Sequence, residues 1–200
     1  MKLKIITLSF ILVILVFLFS SLLVVYNYNF YKTGFVAADS YNNFEDKTYL
    51  DKTSVNLVNY FVGKEELVND YTIDEKSHLV DVKKLIDGIA ILFFVLVLLF
   101  CFILFGFNNS NELWKIFFYS SILIIFICLI FVLVSVFNFG NLFDRFHILL
   151  FENGTWMFSE DSLLIRMFPI KFFVYGFVRI LGYCLTFSLI FLVTSLYIKR

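Results

Sequence analysis

The sequence predicts an all-α membrane protein, with four transmembrane helices and a small, mainly helical extracytoplasmic cap formed by two outer loops. Three observations predict it. Hydrophobic residues make up 61% of the 200 positions, with 29 phenylalanines and a single proline, and mean hydropathy is +0.91. A soluble domain of this length leaves roughly 30% of its chain surface in water, which so apolar a chain could not tolerate. The apolar residues are also gathered into four runs, at 5–26, 86–107, 114–139 and 172–198. At about 1.5 Å per helical residue each run can cross the ~30 Å of bilayer hydrocarbon. Lastly, the charged residues are partitioned between the segments that join the runs. The length suits one integral membrane domain, 1–200, rather than several.

The first run follows Met-Lys-Leu-Lys. It is longer than a signal-peptide core, and no small-x-small cleavage pattern follows it, so it reads as an uncleaved anchor. The outer loop at 27–85 is too long for a bare connection. Within it, Thr53 or Ser54 reads as the N-cap of a short amphipathic helix with Leu57, Val58, Phe61 and Val62 on its apolar face, ending near Gly63. Thr72 and Glu75 have capping-box spacing, and Leu79, Val82 and Leu85 follow at helical intervals. No proline or turn residue separates them from the second run, which predicts one continuous helix. In the outer loop at 140–171, Phe143, Phe146 and Leu150 share a helical face, while Asp144 and His147 lie toward another. The Asn153-Gly154 pair then signals a turn. Ser159 reads as the cap of a short helix running to Met167, and Pro169 ends it before the fourth run. This amphipathic loop is expected to lie in the membrane interface.

Lys2, Lys4, Lys115, Lys199 and Arg200 stand against one acid, Glu112, in the two terminal segments and the short inner link. The two long loops together carry ten basic residues against fourteen acids. The positive-inside rule therefore predicts both termini in the cytoplasm and both loops outside. Tyr26, Tyr28 and Tyr31 on the outside, with Trp114 and Tyr197 on the inside, fit interfacial aromatic belts. Cys101, Cys128 and Cys184 each fall inside an apolar run with no second cysteine nearby in sequence, a pattern of small buried hydrophobes rather than of disulfides or CxxC sites.

No phosphate loop, dinucleotide fingerprint, HExxH or GxSxG is present. No basic, aromatic-interleaved patch suggests nucleic acid. The remaining chemistry is carried by the chain's two histidines, His78 and His147, one in each outer loop. Interfacial packing, metal or haem ligation, and general acid–base catalysis all suit a histidine pair. A metal would require further ligands, and the cysteines lie in the spans, so neither metal nor cofactor is expected. Asp74, Glu75 and Asp81 lie one turn from His78 and could orient its ring. Arg179, about two turns inside the fourth run, is by default a functional hypothesis; otherwise it snorkels or pairs with Asp87. Lys83 and Arg166 either attract lipid headgroups or cap helices.

The stretches at 75–83 and 145–173 resemble a bacterial family of four-span membrane proteins, the lipoprotein intramolecular transacylases. The family's His-x-x-Asp-Val-Lys motif is matched by His78, Asp81, Val82 and Lys83. Its second signature is matched by Phe146-His147, Phe151, Asn153, Trp156, Leu164-Ile165, Pro169 and Phe172-Phe173. Ser159-Glu160 replace an expected Asp-Pro, and Ile170 stands where an acid is expected. The resemblance implies that a diacylglyceryl-cysteine lipoprotein transfers its sn-2 acyl chain to its own α-amino group, giving the N-acyl lyso-form. For that reaction His147 is expected as principal base and His78 as partner base or acid, oriented by Asp81 or Asp74. Asn153, Trp156 and backbone N–H groups of the turn would stabilise the transition state. Expected partners are the lipoprotein and membrane lipids. The alternative is a non-enzymatic four-span partner in membrane assembly or transport, although a transporter would more often show broken spans and midplane polar groups.

Overall fold

In the computed structural model, residues 2–106, 112–151 and 155–199 are described. Seven α-helices run in order: α1 Lys2–Val25, α2 Tyr28–Ala37, α3 Lys47–Phe61, α4 Ile73–Phe105, α5 Leu113–Leu150, α6 Leu163–Met167 and α7 Ile170–Ile198, with a 3₁₀ turn at Ser40–Asn43 between α2 and α3. Among the described residues there is no strand. Among the described residues, four helices (α1, α4, α5 and α7) are long and apolar enough to cross a membrane. The chain divides into two compact units, one of residues 1–22, 88–136 and 180–200, the other of 23–87 and 137–179.

The first unit is built from membrane-length helix. Ile5, Leu8 and Ile116 form a buried cluster, with Leu12, Phe100, Ile103, Leu104 and Leu113 packed around it. Where helices approach, serine takes the place of a larger side chain. Ser9 Oγ donates to Ile116 O at 3.3 Å, Ser120 Oγ to Ile116 O at 2.7 Å and to Ser9 O at 3.2 Å, and Ser188 Oγ to Ser121 O at 3.2 Å. Small hydroxylated residues allow close backbone approach and return their polarity to a carbonyl, which hydrocarbon surroundings demand. The three cysteines are free thiols; Cys128 and Cys184 are buried and Cys101 is exposed. The Cys184 Sγ lies 3.5 Å from Ser20 Oγ. Hydropathy does not distinguish the helices, but burial does: 44% of the most apolar window of α1 is buried, against none of that of α4. Phe94, Leu98 and Phe102 accordingly form an exposed stripe at helical spacing on α4, a surface suited to lipid.

The second unit has an aromatic core. On α2 the buried residues are Phe30, Tyr31, Gly34 and Phe35. Tyr31 is therefore not a belt residue: its ring packs on Phe35, Phe168 and Phe172, and its hydroxyl donates to Val25 O at 2.9 Å. Gly34 permits this packing, because a Cβ there would stand 2.6 Å from Phe172 Cε2. Helix α3 starts six residues before the expected Thr53. Its cap is Asp46, whose Oδ1 accepts from Thr48 N at 2.8 Å. The apolar face begins earlier, at Leu50, and continues through Thr53, Ser54, Leu57, Val58 and Phe61, so the two expected capping residues are buried inside the helix. Gly63, with φ +76°, follows the helix end. Helix α4 is continuous from Ile73. The helical face expected at Phe143, Phe146 and Leu150 is present, and it continues from the third span, since α5 runs on to Leu150 with one non-helical residue, Asn138, at φ −165° and ψ 79°. Asn138 Oδ1 accepts from Asn141 N at 3.0 Å and so caps a fresh helical start. Helix α6 is capped by Ser162 rather than Ser159; Ser159 O accepts the Ser162 N–H in the preceding turn.

Candidate active site

His78 is held by the first turns of α4. Thr72 Oγ1 accepts from Glu75 N at 3.2 Å and Glu75 Oε2 accepts from Thr72 N at 2.8 Å, which is the reciprocal capping box expected from the spacing. One turn on, His78 is 9% exposed. Its ring centroid lies 4.8 Å from that of Phe151 and 5.6 Å from that of Phe158. The buried His78 Nδ1 has no hydrogen-bond partner among the described residues. A buried polar atom left unpaired costs about 1–3 kcal/mol, so this ring has an environment that stability alone would not select.

His147 occupies the last turns of α5, in the helical segment that Asn138 starts. It is 7% exposed. Its Nδ1 is 2.8 Å from Phe143 O, one turn back. A carbonyl can only accept, so this contact assigns the proton to Nδ1 and leaves the Nε2 lone pair as the ring's acceptor. Aromatic rings enclose it: Phe143 at 4.0 Å, Trp156 at 4.7 Å, and Phe146 and Phe151 at 5.5 Å. Phe143 in turn packs on Phe173 of α7 at 4.8 Å.

The two imidazoles, 69 residues apart in sequence, stand with centroids 6.4 Å apart and planes inclined by 27°. That spacing lets one small reacting group meet both. Burial pushes the His78 imidazole down to about 4 from 6.5; the neighbouring His147 adds to the fall and the Asp81 carboxylate opposes it. His147 is lowered as well, again chiefly by burial, with the Phe143 carbonyl and Asp144 pulling the other way. Both rings are therefore neutral near pH 7. Each can accept a proton, and neither arrives carrying one to give.

The other candidates divide. Trp156 belongs to the site through its contact with His147. Asn153 lies outside the described residues. Asp81 does not hold the His78 ring: its carboxylate is paired with Lys84 at 2.9 Å, so its effect on His78 is through charge. Asp74 is exposed, and Glu75 spends both carboxylate oxygens on backbone N–H groups, on Thr72 N and on Leu164 N at 2.8 Å. Lys83 closes the end of α3, its Nζ donating to Phe61 O at 2.9 Å and lying 3.5 Å from Asp87. Arg179 consequently does not take Asp87 as its partner; its guanidinium lies 5.6 Å from the Tyr175 ring. The Arg166 guanidinium donates to Asn43 O and stacks on Phe44 at 4.6 Å, away from the imidazoles' ring contacts. Among the described residues no three His, Cys, Asp or Glu side chains converge as a metal would require.

Phe146, Phe151 and Trp156 of the wall are among the residues that carry the resemblance, whereas Phe143 reads in the sequence only as part of an apolar face and Phe158 carries no signal, because a ring's partners in another segment leave no periodic trace. The second ligand of Glu75 was missed for the same reason. Asn138 could have been found, as an asparagine three residues before a second amphipathic stretch.

A family model described as lipoprotein intramolecular transacylase Lit matches residues 6–173. The chain belongs to that family. The transacylases are acyltransferases, and membership of the family sets aside the non-enzymatic assembly or transport partner. Among solved structures, the membrane-integral transacylase Lit from Bacillus cereus aligns over 98% of this chain and 94% of its own, at a TM-score of 0.88 and 23% identity. A variant of that transacylase with one histidine replaced by alanine aligns over 98% of this chain and 92% of its own, at 0.80 and 23%. At that identity the likeness is one of fold: an all-helical, multi-pass membrane protein. No curated protein sequence matches the chain.

Proposed function

We propose that this transacylase moves the sn-2 acyl chain of a diacylglyceryl-cysteine lipoprotein from the glyceryl oxygen to the lipoprotein's own α-amino nitrogen. The observation that carries the reading is the His147 tautomer beside a second neutral imidazole. The Nδ1–H is committed to Phe143 O, and Nε2 is left as a base in an aromatic enclosure.

The chemistry balances without a cofactor. The amine nitrogen attacks the ester carbonyl carbon, closing an eight-membered ring through Cα, Cβ, sulfur and two glycerol carbons. The tetrahedral intermediate then collapses, forming the N–C bond and breaking the C–O bond to glycerol. One proton leaves nitrogen and one reaches the glycerol oxygen, so the product is an isomer of the substrate. An ester becomes an amide, which is downhill and requires no nucleotide. Both reactants are on one molecule, so the protein's largest contribution is to hold them in the reactive geometry.

The free α-amine has a pKa near about 7.7–8.0. An enclosure of phenylalanine and tryptophan rings disfavours its ammonium form, so the nucleophile enters neutral. His147 Nε2 takes the proton as the N–C bond forms. The imidazolium so created is a stronger acid than free imidazolium, because the same burial that lowers these imidazoles makes their charged form costly. It returns the proton to the departing glycerol oxygen, directly or through His78. In this scheme the acid is generated by the base step. The Trp156 N–H and the Asn153 amide are the proposed donors to the oxyanion. Exclusion of water by the aromatic walls suppresses hydrolysis of the same ester.

The test is a diacylglyceryl lipopeptide incubated with the purified protein in detergent. The expected product has unchanged mass, with fragmentation placing one acyl chain on nitrogen. No N-acyl product from a folded protein would sink the reading. For sidedness we propose cytoplasmic termini and an extracytoplasmic site, following the charge partition. In a Cys-free background, cysteines at the exposed Ser77 and Ser159 should react with an impermeant thiol reagent in intact cells, and one at Ser110 should not; the reverse pattern would invert the topology.

A further inference from the structure

We infer that Glu75 is a positioning residue for the acyl transfer, a clamp that holds the Trp156–Phe158 wall closed over the histidine pair. Its side chain is fully buried, at 0% exposure. A capping box requires one of its oxygens, and Oε2 supplies it by accepting from Thr72 N at 2.8 Å. The other oxygen has a different target. Oε1 accepts from Leu164 N at 2.8 Å, one of the N–H groups that the first turn of α6 leaves without a partner inside that helix. A single carboxylate thus ends two helices at once and ties α6 to the turn of α4 immediately before His78.

The tie matters because of what precedes α6. The segment at 155–162 supplies Trp156, whose ring lies 4.7 Å from His147, and Phe158, whose ring lies 5.6 Å from His78. Five residues separate Phe158 from Leu164, and α6 itself has only five, too short to hold its place by its own hydrogen bonds. Further anchors lie at its far end: Met167 Sδ against the Tyr71 hydroxyl at 3.7 Å, and Asn43 Nδ2 donating to Arg166 O at 2.9 Å. Glu75 is a polar anchor at the end nearer the wall. Releasing it frees the wall to open, and an open wall admits water to the ester. The expected failure is therefore a change of acceptor, from the amine nitrogen to water: the acyl–oxygen bond still breaks, the acyl chain departs as a fatty acid with the hydroxyl of water, and the other proton of water goes to the glycerol oxygen.

This inference rests on the acyl-transfer reading above, and its test is chosen to separate the two. Glu75→Gln keeps the volume but removes the charge and leaves one acceptor oxygen for two N–H groups, so both ties are weakened, the one to Leu164 included. Glu75→Ala loses both. Thr72→Ala is the control, because it removes the other half of the capping box and leaves the tie to Leu164. Two readouts are taken on each detergent-purified protein in a Trp114→Phe background, where Trp156 is the sole indole. One is the ratio of free fatty acid to N-acyl product from the lipopeptide; the other is collisional quenching of Trp156 fluorescence by acrylamide. Glu75→Gln should raise the fatty-acid share by roughly tenfold, the weight of one hydrogen bond to a charged group, and increase quenching, with Glu75→Ala further along both scales. Thr72→Ala should lower the melting temperature and move neither. If Glu75→Ala fails to fold, Glu75→Gln decides. Folded Glu75→Gln with wild-type partition and wild-type quenching would overturn the clamp, as would Thr72→Ala matching it on both readouts. Wild-type protein that makes no N-acyl product would defeat the transfer reading instead, while the quenching comparison would still report on the clamp.

Discussion

Among the described residues, the two buried polar side-chain atoms without a partner both lie in one of the molecule's two units. In the unit of residues 1–22, 88–136 and 180–200, Ser9, Ser120 and Ser188 are buried to 4% exposure or less, and each hydroxyl donates to a carbonyl of a neighbouring helix. In the unit of residues 23–87 and 137–179, His78 is 9% exposed and its buried Nδ1 has no partner among the described residues. Ser40 Oγ, in the turn after α2, shares that state, and nothing in the structure explains it. The difference separates stability from chemistry. Hydroxyls in hydrocarbon are paired because nothing else will satisfy them. An imidazole kept unpaired and neutral at a cost in stability is available to a substrate.

The largest break in that comparison is expected at His147. His147→Ala should leave membrane insertion intact and lower transfer by about 10²–10⁴-fold, the usual worth of a general base. His147→Gln retains a hydrogen bond to Phe143 O but accepts no proton, so it should fall equally far in the lipopeptide assay. Near-normal turnover in both variants would remove His147 from the mechanism.

His78→Phe should separate the two properties. It replaces an unpaired buried polar group by a ring that matches Phe151 and Phe158, so transfer should fall while stability rises by about 1–3 kcal/mol, read as a higher melting temperature. The same substitution should change the response to acid. The native site depresses His78 to about 4 from 6.5, so between these values the unfolded chain binds a proton that the native chain rejects. Wild-type stability should therefore fall as pH is lowered from 6.5 toward 4. His78→Phe should lose that part of the slope. For activity, the acid limb of the wild-type profile should lie below 6.5, since both imidazoles are shifted down; a limb above 6.5 would contradict the neutral-base scheme.

Lys83 tests whether a basic residue of the second unit serves structure or lipid. Lys83→Met removes the donor to Phe61 O and should cost roughly 1 kcal/mol of stability without altering the dependence of turnover on anionic lipid. A lost lipid dependence with unchanged stability would reverse the assignment. The smallest effect is expected in the first unit, where Ser120→Ala should cost about 0.6 kcal/mol, as interhelical hydrogen bonds in membranes do, and leave turnover unchanged.

Much of this architecture is legible from residue order. Four runs of apolar side chains can satisfy their backbone in hydrocarbon only as helices, so the class and the span positions follow from composition and length. The Thr72–Glu75 box and the continuity of α4 follow as well, because capping and helix propagation are local. The two histidines stand out because they are the only ones and lie in the polar loops. Tertiary structure alone decided the rest. It chose Asp46 over Thr53 as the start of α3, since Leu50 had a core to enter, and it moved Tyr31 from an interfacial belt into the aromatic core. It gave Glu75 its second N–H at Leu164 and set His78 6.4 Å from His147. Each of these depends on which distant segment fills the space beside a residue. Periodicity reports which face of an element is buried and is silent about what buries it.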